Sequence, residues 1–464
     1  MELINEKNQI SNTNINSPLE SNDNYFSSQV LIASKLIKEN KFKEAEDIYR
    51  EIILSNYHDP YVYHNLALLC SMKGQESESI KLLNQALKLK PNYVKAHVFL
   101  ANLLKDKGDL EAAIESYNIA ISYNHSCYEA HVNIANIHYD NRDFNSAIES
   151  YNIALSFKPG CLVSLLHLGN INKNKGDLDS AIGYYEQAIS YKEDYFEAYN
   201  NLGNVYKDKG DFDFAIRFYK QAICINESDP LLWNNLGNAY NDLGKFNEAE
   251  ISLLKAIELQ PELAEAYNNL ANTLIAFGKY NEAEQYLYKA VQIKKDYADA
   301  YFNLSFLQLH RGDYDLGLKN YEFRFKKKNP VYLHGEPKTT RMDQQILSSE
   351  DKVLIVSEQG LGDTIQYMRY IPCLKDLGLN VSFCAHPKLH SLIRVSNIIS
   401  NPIAPDQINM VSEAKWIPLL SLPKYLEVSP SNPIVDKTYI YTTVELENKW
   451  RNIFSKERRP IIGI

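Results

Sequence analysis

The chain has 464 residues, of which 45% are hydrophobic and 23% charged, with a formal net charge of -9 and a pI near 5.7. Such a composition suits a soluble protein with material for more than one buried core. The acidic balance argues against non-specific binding to nucleic acid or to an anionic membrane, because either needs a basic field.

Residues 1–25 hold seven asparagines before residue 25 and almost no periodic apolar residue, so they read as a disordered tail. They have neither the charged start nor the apolar run of a signal peptide, and no later segment approaches the roughly 20 apolar residues of a membrane span. The expected location is the cytoplasm. From Phe26 the chain repeats every 34 residues, with units starting at 26, 60, 94, 128, 162, 196, 230, 264 and 298. A fixed period of this length predicts a solenoid of stacked units over 26–331.

Each unit reads as a helical hairpin. Its seventh position is Leu or Ile (Leu66, Leu100, Ile134, Leu168) and its eighth is always small (Ala67, Ala101, Ala135, Gly169), which lets two helices approach closely. Alanine recurs in the second helix at Ala113, Ala147, Ala181 and Ala215. Between the helices stands Gly74, Gly108, Gly176, Gly210, Gly244, Gly278 or Gly312, a left-handed stop, with Asn40 and Arg142 filling the slot where glycine is missing. In nearly every slot this resembles the tetratricopeptide repeat (TPR). The six cysteines form no CxxC pair, and Cys127 and Cys161 occupy one slot of successive units, so they read as small apolar residues in a reducing compartment, with no metal and no disulfide.

Positions two, six, nine and thirteen of a unit share a helix face away from the packing stripe. Position six carries Asn65, Asn133, Asn201, Asn235, Asn269 and Asn303, interrupted by Phe99 and His167, and position nine carries Asn102, Asn136, Asn170, Asn204, Asn238 and Asn272. Asparagine is an indifferent helix former, so these rows call for a reason. One reason is a ladder of amides that engages the backbone of an extended peptide; the other is bonding between neighbouring helices. We favour the ladder for position six and helix-to-helix bonding for position nine. Acidic residues such as Glu129, Glu197, Asp106 and Asp208 flank the rows and favour a neutral or basic partner, although Lys105, Lys173 and Lys207 stand beside them.

The ninth unit decays, with Gly317 and Arg324 where alanines belong. Residues 332–350 read as a linker, and from 351 the period changes. KVLIVS (352–357) reads as a buried parallel strand, followed by a helix from near Asp363 that Gly378 ends, a second strand at 380–385, a short helix at 386–395, and a third strand within 414–422. That order predicts a doubly wound α/β domain over 351–464. Gly360 and Gly362 fall in the turn outside the first strand's carboxyl end, where such sheets bind ligands. Asp363 there would repel a phosphate; as a helix cap it has a purely structural alternative.

SEQGLGDTIQYMRYIPCLKDLG, then PLLSLP, with YEFRF at 321–325 before them, resembles the TPR-linked bacterial glycosyltransferases related to the heptosyltransferases and O-GlcNAc transferases. That resemblance implies the N-terminal, Rossmann-like half of a GT-B fold, Asp363 as general base, and Glu358, Gln359, Gly360, Gly362 and Thr364 as the acceptor turn. It implies a nucleotide sugar as donor substrate, no further cofactor, no metal, and a protein or extended peptide recruited by the array. The chain stops at RRPIIGI, where a second, donor-binding half should begin, so the expectation is a truncated and inactive chain. The alternative is a non-enzymatic scaffold for protein–protein interaction.

Overall fold

Alanine, leucine and tyrosine at 34-residue spacing can bury themselves only by stacking one helical hairpin on the next, and the computed structural model of the chain has that form. The structure describes residues 18–55, 57–342, 347, 349, 351–358, 360–433 and 438–454. The chain divides into two compact units after Ile225.

The first unit holds six hairpins: α1 (Pro18–Lys38) with α2 (Phe42–Leu54), α3 (Pro60–Met72) with α4 (Glu76–Leu89), α5 (Val94–Asp106) with α6 (Leu110–Tyr123), α7 (Tyr128–Asp140) with α8 (Phe144–Phe157), α9 (Leu162–Asn174) with α10 (Leu178–Tyr191), and α11 (Phe196–Asp208) with α12 (Phe212–Ile225). Residues 1–17 of the expected tail lie outside the described residues, and α1 takes in 18–25, which composition alone read as tail. The reason lies further along the helix. Phe26 stacks on Tyr57 at 5.0 Å and Ala33 is fully buried, so packed turns carry the helix outward through poor helix formers.

The turn glycines all have positive φ, between 74° and 86° in this series, and Asn40 and Arg142 adopt the same left-handed conformation at φ 61°. Asp109, Asp143 and Asp177 cap the second helices by accepting from Ala112, Ser146 and Ser180 N–H. Ala101, Ala113, Ala135 and Ala147 are fully buried, as are Tyr49, Tyr117, Tyr151, Tyr185 and Tyr219. Those tyrosines share one slot, and Leu83 fills it in the second hairpin.

The second unit continues the repeat with α13 (Pro230–Asp242) and α14 (Phe246–Leu259), α15 (Ala264–Ala276) and α16 (Tyr280–Ile293), and α17 (Ala298–Arg311) with a short α18 (Tyr314–Tyr321) that runs into a 3-10 turn at Glu322–Phe325. A parallel three-stranded sheet follows, of β1 (Lys352–Val356), β2 (Asn380–Cys384) and β3 (Lys415–Pro418), in the order β2-β1-β3. Val353 pairs with Val381 on one side and with Lys415 on the other.

One face of this sheet is covered by α19 (Leu361–Tyr367), α20 (Tyr370–Asp376), α21 (His390–Val395) and α22 (Leu422–Tyr425); their Ile371, Leu374, Ile393 and Leu422, with Met368 just after α19, bury against Val353, Ile355 and Phe383. The single helix expected from Asp363 begins at Leu361 and breaks between α19 and α20. Pro372, two residues into α20, has no N–H to return to the preceding turn. The segment read as a linker is partly a strap on the sheet. His334 N–H donates to Ser357 O, Met342 N–H to Trp416 O and Trp416 N–H to Thr340 O, while 343–346, 348 and 350 lie outside the described residues. A last helix, α23 (Val444–Phe454), ends the described chain, so the terminal RRPIIGI lies beyond it.

Candidate functional site

In the first unit the amides of positions six and nine form a bonded row with the buried tyrosines. Tyr151 donates its hydroxyl to Asn136 Oδ1 at 2.6 Å, and Tyr185 and Tyr219 do the same to Asn170 and Asn204, each at 2.7 Å. Tyr117 makes the equivalent bond to Asn102. Asn102 and Asn170 also accept from the position-six amide of the following hairpin, Asn133 Nδ2 at 3.2 Å and Asn201 Nδ2 at 3.1 Å. Asn65 Nδ2 reaches Tyr49 Oη at 3.3 Å instead. Burial pushes the Tyr117, Tyr151 and Tyr185 phenols well above their ordinary range, so each remains a hydroxyl donor.

Position nine is therefore a helix-to-helix bonding site in these hairpins. Position six is partly so. Asn133 and Asn201 each spend one N–H on the hairpin before, and their Oδ1 atoms accept nothing among the described residues. His167 interrupts the row and lies flat against Tyr151, rings 5.5 Å apart and 7° from parallel, where burial lowers its pKa.

The second unit uses the same amides differently because leucine replaces tyrosine at 253 and 287. Asn269 Nδ2 turns to Asn234 Oδ1 at 3.0 Å, and Asn303 Nδ2 is shared between Asn268 and Asn272 Oδ1 at 2.9 Å each. Asn235, Asn269 and Asn303 are half-buried, like Asn65, Asn133 and Asn201. The acidity expected beside the rows is partly cancelled, since Asp208 pairs with Lys173 and Glu265 with Lys294, both at 3.3 Å.

The second candidate lies at the carboxyl end of β1, where the strand order β2-β1-β3 reverses direction. Gly360, Leu361, Gly362 and Asp363 are exposed there. Gly360, at φ 128°, precedes α19, and the Asp363 carboxylate folds back so far that its Oδ2 lies 2.6 Å from where a side chain on Gly360 would start. The N-cap position of α19 is Gly360, which has no side chain to cap with, and Asp363 stands in the first turn, where a carboxylate suits the helix dipole. Thr364 is buried and donates to Gly360 O at 2.9 Å, so it fixes the turn. Gln359 lies outside the described residues. Beside Asp363 stand two tyrosines: burial, with Asp363 adding to it, raises Tyr367, and burial pushes Tyr321 up to about 12.

Glu358 is where the acceptor expectation needs correcting. Its side chain is 2% exposed and both oxygens are taken by Arg324, Nε to Oε2 and Nη2 to Oε1, each at 2.8 Å, while Leu420 N–H adds a third bond at 3.2 Å. Arg324 is 1% exposed and places every guanidinium N–H, the rest going to Tyr321 O, Glu322 and Ser421 Oγ. Its guanidinium carbon lies 4.5 Å from the Tyr321 ring centre and 4.2 Å from that of Phe325. Burial alone would raise Glu322, but the charge of Arg324, the hydrogen bonds of Ser421 and Arg324, and Arg341 hold its carboxyl below the usual range. Glu358 anchors the last hairpin to the sheet, and its burial and its ion pair with Arg324 take it away from an acceptor that approaches from solvent. An arginine in an alanine slot among Tyr321, Phe323 and Phe325 was the sequence signal for this hub, and tyrosine recurring at 117, 151, 185 and 219 was the signal for the Asn–Tyr bonds.

Comparison with known proteins follows the repeats. Residues 60–93 and 100–160 match tetratricopeptide repeat models, and 162–300 match the model of the Cilia and flagella-associated protein 70 C-terminal domain. No curated protein matches the chain. Among solved structures, the APC/C hetero-tetramer Cut9–Hcn1 is similar at 18% identity over 62% of this chain and 59% of that one, TM-score 0.44; the match thus spans about three fifths of that chain's length. A tetratricopeptide repeat protein from Parabacteroides merdae aligns at 17% identity over 54% of this chain and 98% of its own, TM-score 0.43. YrrB, described as a TPR protein with an unusual peptide-binding site, aligns at 22% identity over 40% and 96%, TM-score 0.35. The chain carries a helical TPR solenoid followed by a small parallel three-stranded sheet region, and no helix among its described residues is long and apolar enough to cross a membrane.

Proposed function

We propose that this TPR chain is a scaffold whose repeats hold an extended segment of a partner protein along the first-helix face. TPR arrays bind proteins or peptides, and the supporting observation is the position-six row. After bonding their own neighbours, Asn133 and Asn201 in the first unit each keep a half-buried carbonyl oxygen able to accept from a partner's backbone N–H, and within the second unit Asn269 and Asn303 do the same. Backbone recognition of this kind tolerates many sequences. Replacing Asn133 and Asn201 by alanine should weaken an extended peptide by about 1 kcal/mol per amide. The same variants lose bonds to Asn102 and Asn170, so thermal midpoints are read in parallel. Affinity that falls no further than stability predicts would sink the ladder.

Sugar transfer is the second reading, and one observation favours it: Asp363 is exposed at the switch point of a parallel sheet, next to an open glycine turn. On that reading residues 351–464 are the acceptor half of a GT-B enzyme, Asp363 takes the proton of an acceptor hydroxyl, Gly360, Gly362 and Thr364 shape the turn, and the donor is a nucleotide sugar. Turnover of UDP, GDP or ADP sugars that falls by about two to four powers of ten in Asp363→Asn would move the conclusion from scaffold to transferase.

A further inference from the structure

The first-helix face changes character at its last repeat. Position nine is asparagine from Asn102 through Asn272 and becomes Phe306 on α17, with Phe302 one turn before it. Phe306 is 50% exposed. Its ring meets Phe302 edge-on at 4.8 Å and Tyr321 at 6.4 Å, and Phe302 lies 5.7 Å from Tyr321. A half-exposed phenylalanine at a slot that asparagine fills in six earlier units needs a reason other than packing, because the packing stripe of α17 is complete without it: Ala300 and Leu304 are at most 1% exposed.

The surroundings indicate what covers these rings. Lys327 Nζ lies 4.1 Å above the Phe302 ring centre and Lys326 Nζ 5.7 Å from that of Phe323. With Lys328 they form a run of three cations, none of which has a carboxylate within ion-pair distance among the described residues. Asp299, in the first turn of α17, accepts from Lys328 N–H at 3.4 Å. The aromatic bed also continues the amide row within the second unit, since Asn303, one residue from Phe302, bonds Asn268 and Asn272.

We infer that Phe302, Phe306 and Tyr321 form an anchor site for one bulky apolar side chain of the partner segment, and that Lys326, Lys327 and Lys328 receive acidic residues beside it. The inference deepens the scaffold reading and rests on it. The amides hold backbone without regard to sequence, and the bed supplies the selectivity they lack. Aromatic pockets of this kind dominate recognition because they desolvate fully, while charges at the rim govern approach and salt dependence.

The test selects short random peptides on the full chain and on Phe306→Ala, then measures the enriched peptides by fluorescence polarisation. Peptides selected on the parent chain should share an aromatic or large aliphatic residue next to Asp or Glu. They should bind Phe306→Ala at least about tenfold more weakly, and Phe306→Leu with a smaller loss. Exchanging the peptide's apolar residue for alanine should cost nothing further in Phe306→Ala, and raising salt should weaken the parent more than a Lys326→Glu, Lys328→Glu variant. Enriched peptides whose affinity ignores Phe306 overturn the anchor and leave the amide groove standing. Selection that enriches no peptide overturns the groove reading and the anchor with it. A parent chain that dimerises through this face, with Phe306→Ala monomeric in sedimentation, also overturns the proposal, because a second copy then covers the bed.

Discussion

Arg142 holds a backbone conformation that seven other hairpins give to glycine, φ 61° against 74° to 86°. A Cβ in the left-handed region costs roughly 1–2 kcal/mol, and glycine returns about half of that as extra unfolded-state entropy. Arg142 is exposed, so its side chain offers little packing to set against this. Arg142→Gly is expected to raise stability by about 0.5–1 kcal/mol, seen as a higher urea midpoint at unchanged slope. Asn40→Gly should gain less, because asparagine tolerates this region. A lower midpoint for Arg142→Gly would show that the arginine earns its place. At this scale the sequence was informative, since the 34-residue register alone located both slots. The same register marked the asparagine rows without deciding between ligand and neighbour. That choice turned on Tyr117, Tyr151, Tyr185 and Tyr219, fifteen residues further on and bonded to position nine.

Among elements, the repeats were legible because each helix start is set by chemistry within a few residues: a small residue at position eight, a left-handed turn, an aspartate cap. The sheet strands were legible for a similar reason, as short apolar runs. What could not be read was pairing across the molecule. The strap at 331–342 joins the sheet through backbone bonds that leave no mark on side-chain periodicity, and Arg324 meets Glu358 across 34 residues of chain. The pair is nearly solvent-free, so removing one partner strands a buried charge. Arg324→Ala should cost about 3–5 kcal/mol, while Arg324→Met with Glu358→Leu should recover most of that loss. Denaturant unfolding of the two single variants and the double one gives the coupling directly. A double variant as unstable as Arg324→Ala alone would mean that packing of the guanidinium on Tyr321 and Phe325, not its charge, is what the hub needs.

Across the whole molecule, the two kinds of architecture should respond differently to acid. In the middle of the array the buried side-chain bonds join amides and phenols, none of which changes charge between pH 3 and 7, and the ion pairs between hairpins, Lys173–Asp208 and Lys209–Asp179, lie at the partly exposed surface. The sheet region hangs on Glu322 and Glu358, with the Glu322 carboxyl held below its usual range by Arg324, Ser421 and Arg341. A carboxyl depressed on folding stabilises the native state above its unfolded value, near pH 4.3, and that contribution disappears as pH falls through the lower folded value. Protonation then leaves Arg324 buried with fewer anions around it. Hydrogen exchange followed by mass spectrometry, corrected for intrinsic rates, should show β1, β2 and α20 losing protection as pH drops below about 4, before α7 to α12. Glu46, which Lys73 and Arg50 hold below its usual range, predicts a similar early loss at the first two hairpins. Arg324→Met with Glu358→Leu, which replaces the central ion pair by apolar contact, should move the loss around the sheet to lower pH and leave that around Glu46 where it was. Equal loss of protection along the whole chain would place the acid sensitivity in the surface caps Asp109, Asp143 and Asp177, and not in the hub.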